Sequence, residues 1–290
     1  MKTIILTAVA AVLAVAASPA AAQTFDSRSV EIKDAVARVV VIVEDRRDVS
    51  VEVEPGAAGL PRLQIRRVGG RVVIDGGLRR DIRNCNSGPA GARQPGDGAS
   101  VELRNRGRVN LSDASLIVIR SPRAVDINAG SAVFGSIGPG AASIELGAGG
   151  CGDWTVANTS GAMALNVGGS GAIRAGTSDH LAANLGGSGD IVAGATGRVK
   201  ANVGGSGSIT VARADGPVDF AIAGSGDITV RGGRTPALSA AIHGSGDIDF
   251  RGEAGDVDVA IAGSGDVRIA RATGAVSRAI VGSGEVRIGR

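Results

Sequence analysis

The sequence predicts an all-β fold: a right-handed single-stranded parallel β-helix, or solenoid, with about 19 residues per coil, preceded by a more irregular β region. Three observations support this fold class. A Gly-Ser-Gly triplet recurs through the second half of the chain, and apolar residues alternate with polar ones on both sides of each triplet. The composition is rich in glycine and poor in aromatic residues, with 47 Gly, four Phe, one Trp and no Tyr among 290 residues.

The triplets return at nearly constant spacing, with serine-to-serine intervals of 18, 18, 19, 20, 19 and 19 residues. A fixed repeat of this length marks a unit that buries its apolar face only by stacking on its neighbours. We expect the glycines to permit positive φ and close backbone approach, and the serines to form a hydrogen-bonded ladder. The predicted repeat corners are Ser170, Ser188, Ser206, Ser225, Ser245, Ser264 and Ser283, and an earlier copy carries Cys151 in the serine position.

Apolar residues occupy every second position around each corner. In the coil of Ser225 they are Val218, Phe220, Ile222, Ile228 and Val230, and the same positions are apolar in the other coils. Period-two alternation is typical of a strand with one buried face. The sequence therefore predicts that these columns stack into one apolar interior.

The N-terminus has the pattern of a secretory signal peptide over residues 1–22. Lys2 supplies the positive charge, an apolar run follows, and small residues precede a predicted cleavage between Ala22 and Gln23. No later run reaches the ~18 apolar residues of a spanning helix. We therefore expect an exported protein that is periplasmic, cell-surface or extracellular, with no transmembrane segment.

The rest of the chain divides into two predicted parts. Residues 23–122 form the irregular β region, in which short Val-rich and Ile-rich strands are separated by charged or Gly-containing turns. Residues 84–100 are rich in Gly and Pro, lack periodicity and are expected to form a loop. Residues 123–290 form the regular coils.

The charge balance gives no support for nucleic-acid binding. Without the signal peptide the chain has 30 basic and 28 acidic side chains, and neither a basic tract nor an aromatic platform is present. Arginines are concentrated between residues 23 and 128. We interpret them as a solvated face, with an anionic cell-surface partner as the alternative.

An acidic column follows the corners, two residues beyond each serine. Turn capping by the carboxylates is the favoured interpretation, because a short carboxylate accepts nearby backbone N–H groups. Cation binding remains the alternative, although the spacing differs from that of calcium-binding β-roll repeats. The column consists of Asp153, Ala172, Asp190, Ser208, Asp227, Asp247, Asp266 and Glu285.

No catalytic, cofactor or metal site is predicted. His180, placed in a variable turn, and His243 are the only histidines, and no corner serine lies in a Gly-x-Ser-x-Gly elbow. A polysaccharide-degrading β-helix remains the enzymatic alternative, because carboxylates from adjacent coils can form pairs. Such enzymes usually carry sugar-stacking aromatic residues, whereas Trp154 occupies an inward column and is expected in the core.

Cys85 and Cys151 are the only cysteines. In an exported protein two cysteines favour a disulfide, which here would pin the Gly/Pro-rich segment to the first regular coil. Free buried thiols are the alternative.

The segment VSVEVEPGAAGLPRLQIRRVGGRVVIDG, followed by coils carrying Gly-Ser-Gly-Asp-Ile, resembles the bacterial putative auto-transporter adhesin, head GIN domain family, from about Val30 to Arg290. The resemblance implies a secreted or surface-exposed β-helix with an adhesive or scaffolding role and no established catalytic residues.

The sequence thus predicts a non-enzymatic extracytoplasmic module, adhesin-like or a cell-envelope scaffold, that binds a surface or envelope component. A polysaccharide-binding or polysaccharide-degrading β-helix is the alternative function. Arg278 stands in an apolar column of the last coil, where we expect a homo-oligomer contact or a partner.

Overall fold

The computed structural model describes residues 22–89 and 96–289, so the predicted signal peptide lies outside the described residues except for Ala22. Regular structure is almost entirely β, with two short 3-10 helices at Arg79–Asp81 and Leu111–Asp113. The strands are β1 (Gln23–Phe25), β2 (Ser29–Lys33), β3 (Val36–Val43), β4 (Val49–Glu54), β5 (Gln64–Val68), β6 (Arg71–Asp75), β7 (Ile82–Asn86), β8 (Ser100–Leu103), β9 (Gly107–Asn110), β10 (Ser115–Ser121), β11 (Ala124–Ala129), β12 (Ala132–Ile137), β13 (Ser143–Ala148), β14 (Trp154–Val156), β15 (Ala162–Val167), β16 (Ala172–Ala175), β17 (Ser178–Leu185), β18 (Asp190–Val203), β19 (Ser208–Ala214), β20 (Val218–Ile222), β21 (Asp227–Val230), β22 (Arg234–Gly244), β23 (Ile248–Gly263), β24 (Val267–Ala272), β25 (Val276–Gly282) and β26 (Val286–Ile288).

The coils stack in parallel as a β-solenoid of about nine turns, which confirms the predicted fold class. Two long sheets enclose the interior, and β18 and β23 contribute to both because they continue around a corner. We call sheet 1 the series β5-β6-β2-β11-β13-β15-β17-β18-β20-β22-β23-β25. Sheet 2 is the series β1-β4-β10-β3-β12-β14-β16-β18-β19-β21-β23-β24-β26.

The alternating apolar residues fill the interior, as predicted. Val218, Phe220, Ile222, Ile228 and Val230 are at most 3% exposed. Phe220 is the register partner of Ala201 in β18 and of Ala240 in β22. The small alanine side chains leave space for the Phe220 ring in the coils on both sides of it.

Trp154 lies in the core, as expected, with 1% exposure. A side chain at Gly135, its register partner in β12, would overlap the indole ring. Trp154, the largest side chain of the interior, fits because Gly135 in the preceding coil has no side chain.

The N-terminal strands combine parallel stacking with antiparallel pairing. Strands β2 and β3 pair in parallel with β11 and β12 and so belong to the stack. In contrast, β1 and β10 pair antiparallel with β4, and β5 pairs antiparallel with β6. Arg66 and Arg67 of the edge strand β5 are both exposed, and charged residues at a sheet edge discourage edge-to-edge association.

Strands β7, β8 and β9 form a separate antiparallel sheet beside the first coils. Its side chains pack in a second apolar cluster that includes Leu103 and Leu111 and reaches Phe134 of β12. A disulfide joins Cys85 of β7 to Cys151, with 5.9 Å between the Cα atoms. The small sheet is therefore attached to the solenoid by both packing and a covalent link.

Among the described strands, β25 pairs only with β23, and all seven of its residues are exposed. Arg278 is in register with the buried Val259, and Val276 and Ile280 on the same side are 41% and 42% exposed. A charge in this apolar column discourages pairing of the strand edge. Self-association at this coil stays a prediction.

Close backbone approach explains the corner glycines. A Cβ at Gly226 would overlap the carbonyl oxygen of Gly207, one coil away, and the other corners show the same arrangement. Positive φ applies to the first glycine only in the last three corners, at Gly244, Gly263 and Gly282. Glycine is therefore required at the corners because the neighbouring coil is close. In the last three corners the positive φ is an additional reason.

We predict that Gly226→Ala destabilises the protein by about 1 to 3 kcal/mol, because the new methyl group forces two coils apart. Gly232→Ala is the matched control, since a Cβ there meets nothing within 4 Å and its φ is not positive. We expect that control to change stability by less than about 1 kcal/mol. Urea unfolding followed by circular dichroism measures both, and equal midpoints for the two variants would contradict the close-approach argument.

We also predict that the Cys85→Ser, Cys151→Ser double variant is less stable by about 4 kcal/mol, since the crosslink restricts the unfolded chain between cysteines 66 residues apart. The thiol state is checked by mass spectrometry after alkylation of denatured protein. No label should appear without reductant and two after reduction. Two labels without reduction would show that the thiols are free.

Candidate functional site on the outer face of the first sheet

The corner serines stack through their backbones. The N–H of Ser188 donates to the carbonyl of Gly169 at 3.1 Å, and that of Ser206 donates to Gly187 at 3.1 Å. All seven corner serines are exposed, and within the described residues their hydroxyls make no hydrogen bond. The expected ladder is thus formed by peptide groups, because the side chains face water and hydrate instead.

The acidic column caps the coils, which agrees with the favoured interpretation. Oδ1 of Asp227 accepts the N–H of Asp247 at 2.9 Å, Asp247 accepts that of Asp266 at 2.8 Å, and Asp266 accepts that of Glu285 at 3.0 Å. Asp153 and Asp190 do the same earlier in the chain. Each carboxylate therefore satisfies a peptide group of the following coil.

Arginine side chains form ion pairs with part of this column. Arg268 lies 3.1 Å from Oδ2 of Asp247 and 2.8 Å from Oδ2 of Asp266. A hydrogen bond from Arg287 holds the pKa of Glu285 below its usual value. In the part of the chain that the structure describes, no three His, Cys, Asp or Glu side chains are grouped as metal ligands would be.

The histidines do not share a site. His180 lies in β17, which corrects its expected placement in a variable turn, and His243 lies in β22. Strand β17 begins two residues before His180 and pairs with β18 there. Both side chains are exposed. In sheet 1, β17 lies three strand steps from β22, and each step is ~4.8 Å.

A groove of about 450 Å³, here called the trough, crosses the outer face of sheet 1 from β11 to β18. It arises because the side chains at one outward position differ in length from strand to strand. Glu145 is in register with Ala164, Ala164 with Ala182, and Ala182 with Lys200. Two alanines thus form a gap between longer charged side chains, and Ala162 of the adjacent column extends this floor.

The walls of the trough carry opposite charges. Asp126 and Glu145 form one wall, and Arg198 and Lys200 form the other together with His180; Arg28 lies at the far end. Lys200 is 3.8 Å from Asp219, and His180 is 2.8 Å from Asp179. Within the described residues, no hydrogen bond or ion pair engages the side chains of Arg28, Asp126, Glu145 or Arg198.

An asparagine ladder runs beside the trough on the same face. The amide of Asn184 donates to Oδ1 of Asn166 at 2.8 Å, and the amide of Asn202 donates to Oδ1 of Asn184 at 2.8 Å. Sequence reasoning missed both the ladder and the trough. The ladder had a readable signal, because asparagine stands four residues before Ser170, Ser188 and Ser206.

We predict that Asp247→Ala lowers the free energy of unfolding by about 1 to 2 kcal/mol, because the Asp266 N–H and Arg268 each lose a charged acceptor. Asp258→Ala is the control, since among the described residues that exposed carboxylate has no hydrogen-bond partner. Urea midpoints measure the difference. Stabilisation of the unmodified protein by millimolar Ca²⁺ would instead favour the cation-binding alternative.

Several solved structures are similar to this chain. A putative adhesin from Parabacteroides distasonis is 17% identical with a TM-score of 0.56, covering 92% of this chain and 96% of its own. A putative lipid binding protein from the same species is 16% identical with a TM-score of 0.43, covering 93% and 96%. A putative adhesin from Bacteroides fragilis is 12% identical with a TM-score of 0.40, covering 92% and 96%.

No curated protein sequence is significantly similar to this one. A family model does match, over residues 30–214 and 214–289, and so spans nearly all of the two stacked sheets. The chain therefore belongs to the putative auto-transporter adhesin, head GIN domain family.

Proposed function

We propose that the protein is a non-enzymatic extracytoplasmic adhesin-like module that binds a cell-surface or envelope component through the outer face of sheet 1. The observation that carries this proposal is the trough, in whose walls the charged side chains of Asp126, Glu145 and Arg198 have no partner among the described residues. Charged groups left free at a concave site are available to a ligand. Membership of an adhesin family supports an attachment role.

A rigid scaffold suits attachment. The trough spans strands held in register by the stacked corners, so its two walls keep a fixed separation before any ligand arrives. Preorganisation of this kind removes part of the entropic cost of binding.

Extracytoplasmic placement rests on the predicted signal peptide and on the adhesin family. Among the described residues, no helix has the length and apolar character needed to span a membrane. The non-enzymatic assignment rests on the adhesin family and on the use of the acidic column as backbone caps.

Attachment is tested with labelled mature protein incubated with bacterial cells and isolated envelopes. We expect Ala182→Trp, which fills the trough from its floor, to weaken attachment about tenfold or more. Thr229→Trp is the matched control, because it adds the same side chain to the outward face of β21 in sheet 2. Equal attachment by both variants and the unmodified protein would exclude the trough as the binding surface.

A further inference from the structure

We propose that the trough binds a short oligosaccharide that carries a carboxylate at one end and neutral hydroxyl groups along the rest of its length. This inference rests on the proposed function and identifies the chemical class of the ligand. It follows from the cationic wall, the alanine floor, the acidic wall and the free ends of the asparagine ladder.

The cationic wall fits a carboxylate. Arg198 and Lys200 alternate along β18, so both point outward about 7 Å apart, and His180 is the register partner of Arg198. The Arg198 guanidinium has no acceptor within the described part of the chain. A planar guanidinium offers paired N–H donors that match the two oxygens of a carboxylate. Lys200 adds a second positive charge on the same side, which it shares with Asp219 at 3.8 Å.

The floor fits the apolar face of a sugar ring. Ala162, Ala164 and Ala182 present only methyl groups between the two walls, and they lie on the adjacent strands β15 and β17. Their small size leaves space for a ring to lie flat on the sheet. Because the floor has no aromatic side chain, charge and hydrogen bonding supply most of the recognition.

The acidic wall selects against a uniformly anionic polymer. Glu145 lies three strand steps from Lys200, about 14 Å across the sheet, and Asp126 lies one step further. Carboxylates in this position repel another anion but accept hydrogen bonds from neutral hydroxyls. A ligand that places its negative charge at β18 and its hydroxyls at β13 satisfies both walls.

The asparagine ladder supplies further contacts along one side. Asn202 uses its amide to donate within the ladder, and its Oδ1 receives no hydrogen bond from the described residues. Asn166 accepts within the ladder, and its amide likewise has no acceptor there. One free acceptor near β18 and one free donor at β15 suit hydroxyls spaced along a sugar chain that crosses the strands.

The test uses a glucuronate-terminated trisaccharide and the same trisaccharide after reduction of its carboxyl group. Isothermal titration calorimetry with the full mature protein should show binding of the acidic form, at least tenfold weaker binding after carboxyl reduction, and weakening by 0.5 M salt. We expect Arg198→Gln to weaken binding about tenfold. Arg231→Gln, which removes an equally exposed and unpaired charge elsewhere, should leave binding unchanged.

Equal binding of the acidic and reduced trisaccharides would overturn the proposal, as would unchanged binding by Arg198→Gln. An acidic peptide that binds in the trough while neither trisaccharide does would identify a protein partner and also overturn it. If trisaccharide binding is absent but Ala182→Trp abolishes cell attachment, the ligand class is wrong and the proposed function stands. If trisaccharide binding is present but cells are not bound, the attachment function fails and the ligand class stands.

Discussion

Close contact between the backbones of successive coils at the glycine corners is the constraint on which the remaining structure depends. A side chain at Gly226 or its equivalents would overlap the carbonyl of the coil before. This contact holds neighbouring strands in register, and the register in turn aligns apolar residues over apolar residues in the interior. The same alignment sets the outward columns, so the acidic caps, the asparagine ladder and the trough all depend on it.

The sequence was most informative where a feature repeats with the coil. The apolar columns, the corner glycines and the capping role of Asp247 could be inferred because each recurs at a fixed distance from a serine. Equivalent positions of a repeat make equivalent contacts. A residue type that recurs at one position therefore predicts the same contact in every coil. The inward position of Trp154 followed from the same columns.

Features that do not repeat were harder to predict. The antiparallel pairing of β10 with β4 joins strands that are distant in the sequence, and short alternating segments do not encode that choice. The trough depends on the lengths of Glu145, Ala164, Ala182 and Lys200 in four successive turns. Their relation becomes visible only when the register is known. Likewise, the exposed hydroxyls of the serines could not be distinguished from bonded ones by spacing alone.

The disulfide between Cys85 and Cys151 gives the molecule an uneven response to mechanical load. In a solenoid each turn contacts only its neighbours, so a pull from the C-terminal side peels one turn at a time. Each released turn of about 19 residues lengthens the tether by roughly 60 Å. The pull would detach β25, β23, β22 and β20 before β18. The tether therefore lengthens while the surface between β11 and β18 keeps its shape. Residues 86–150 bear none of that tension, because the disulfide carries it directly from Cys151 to Cys85.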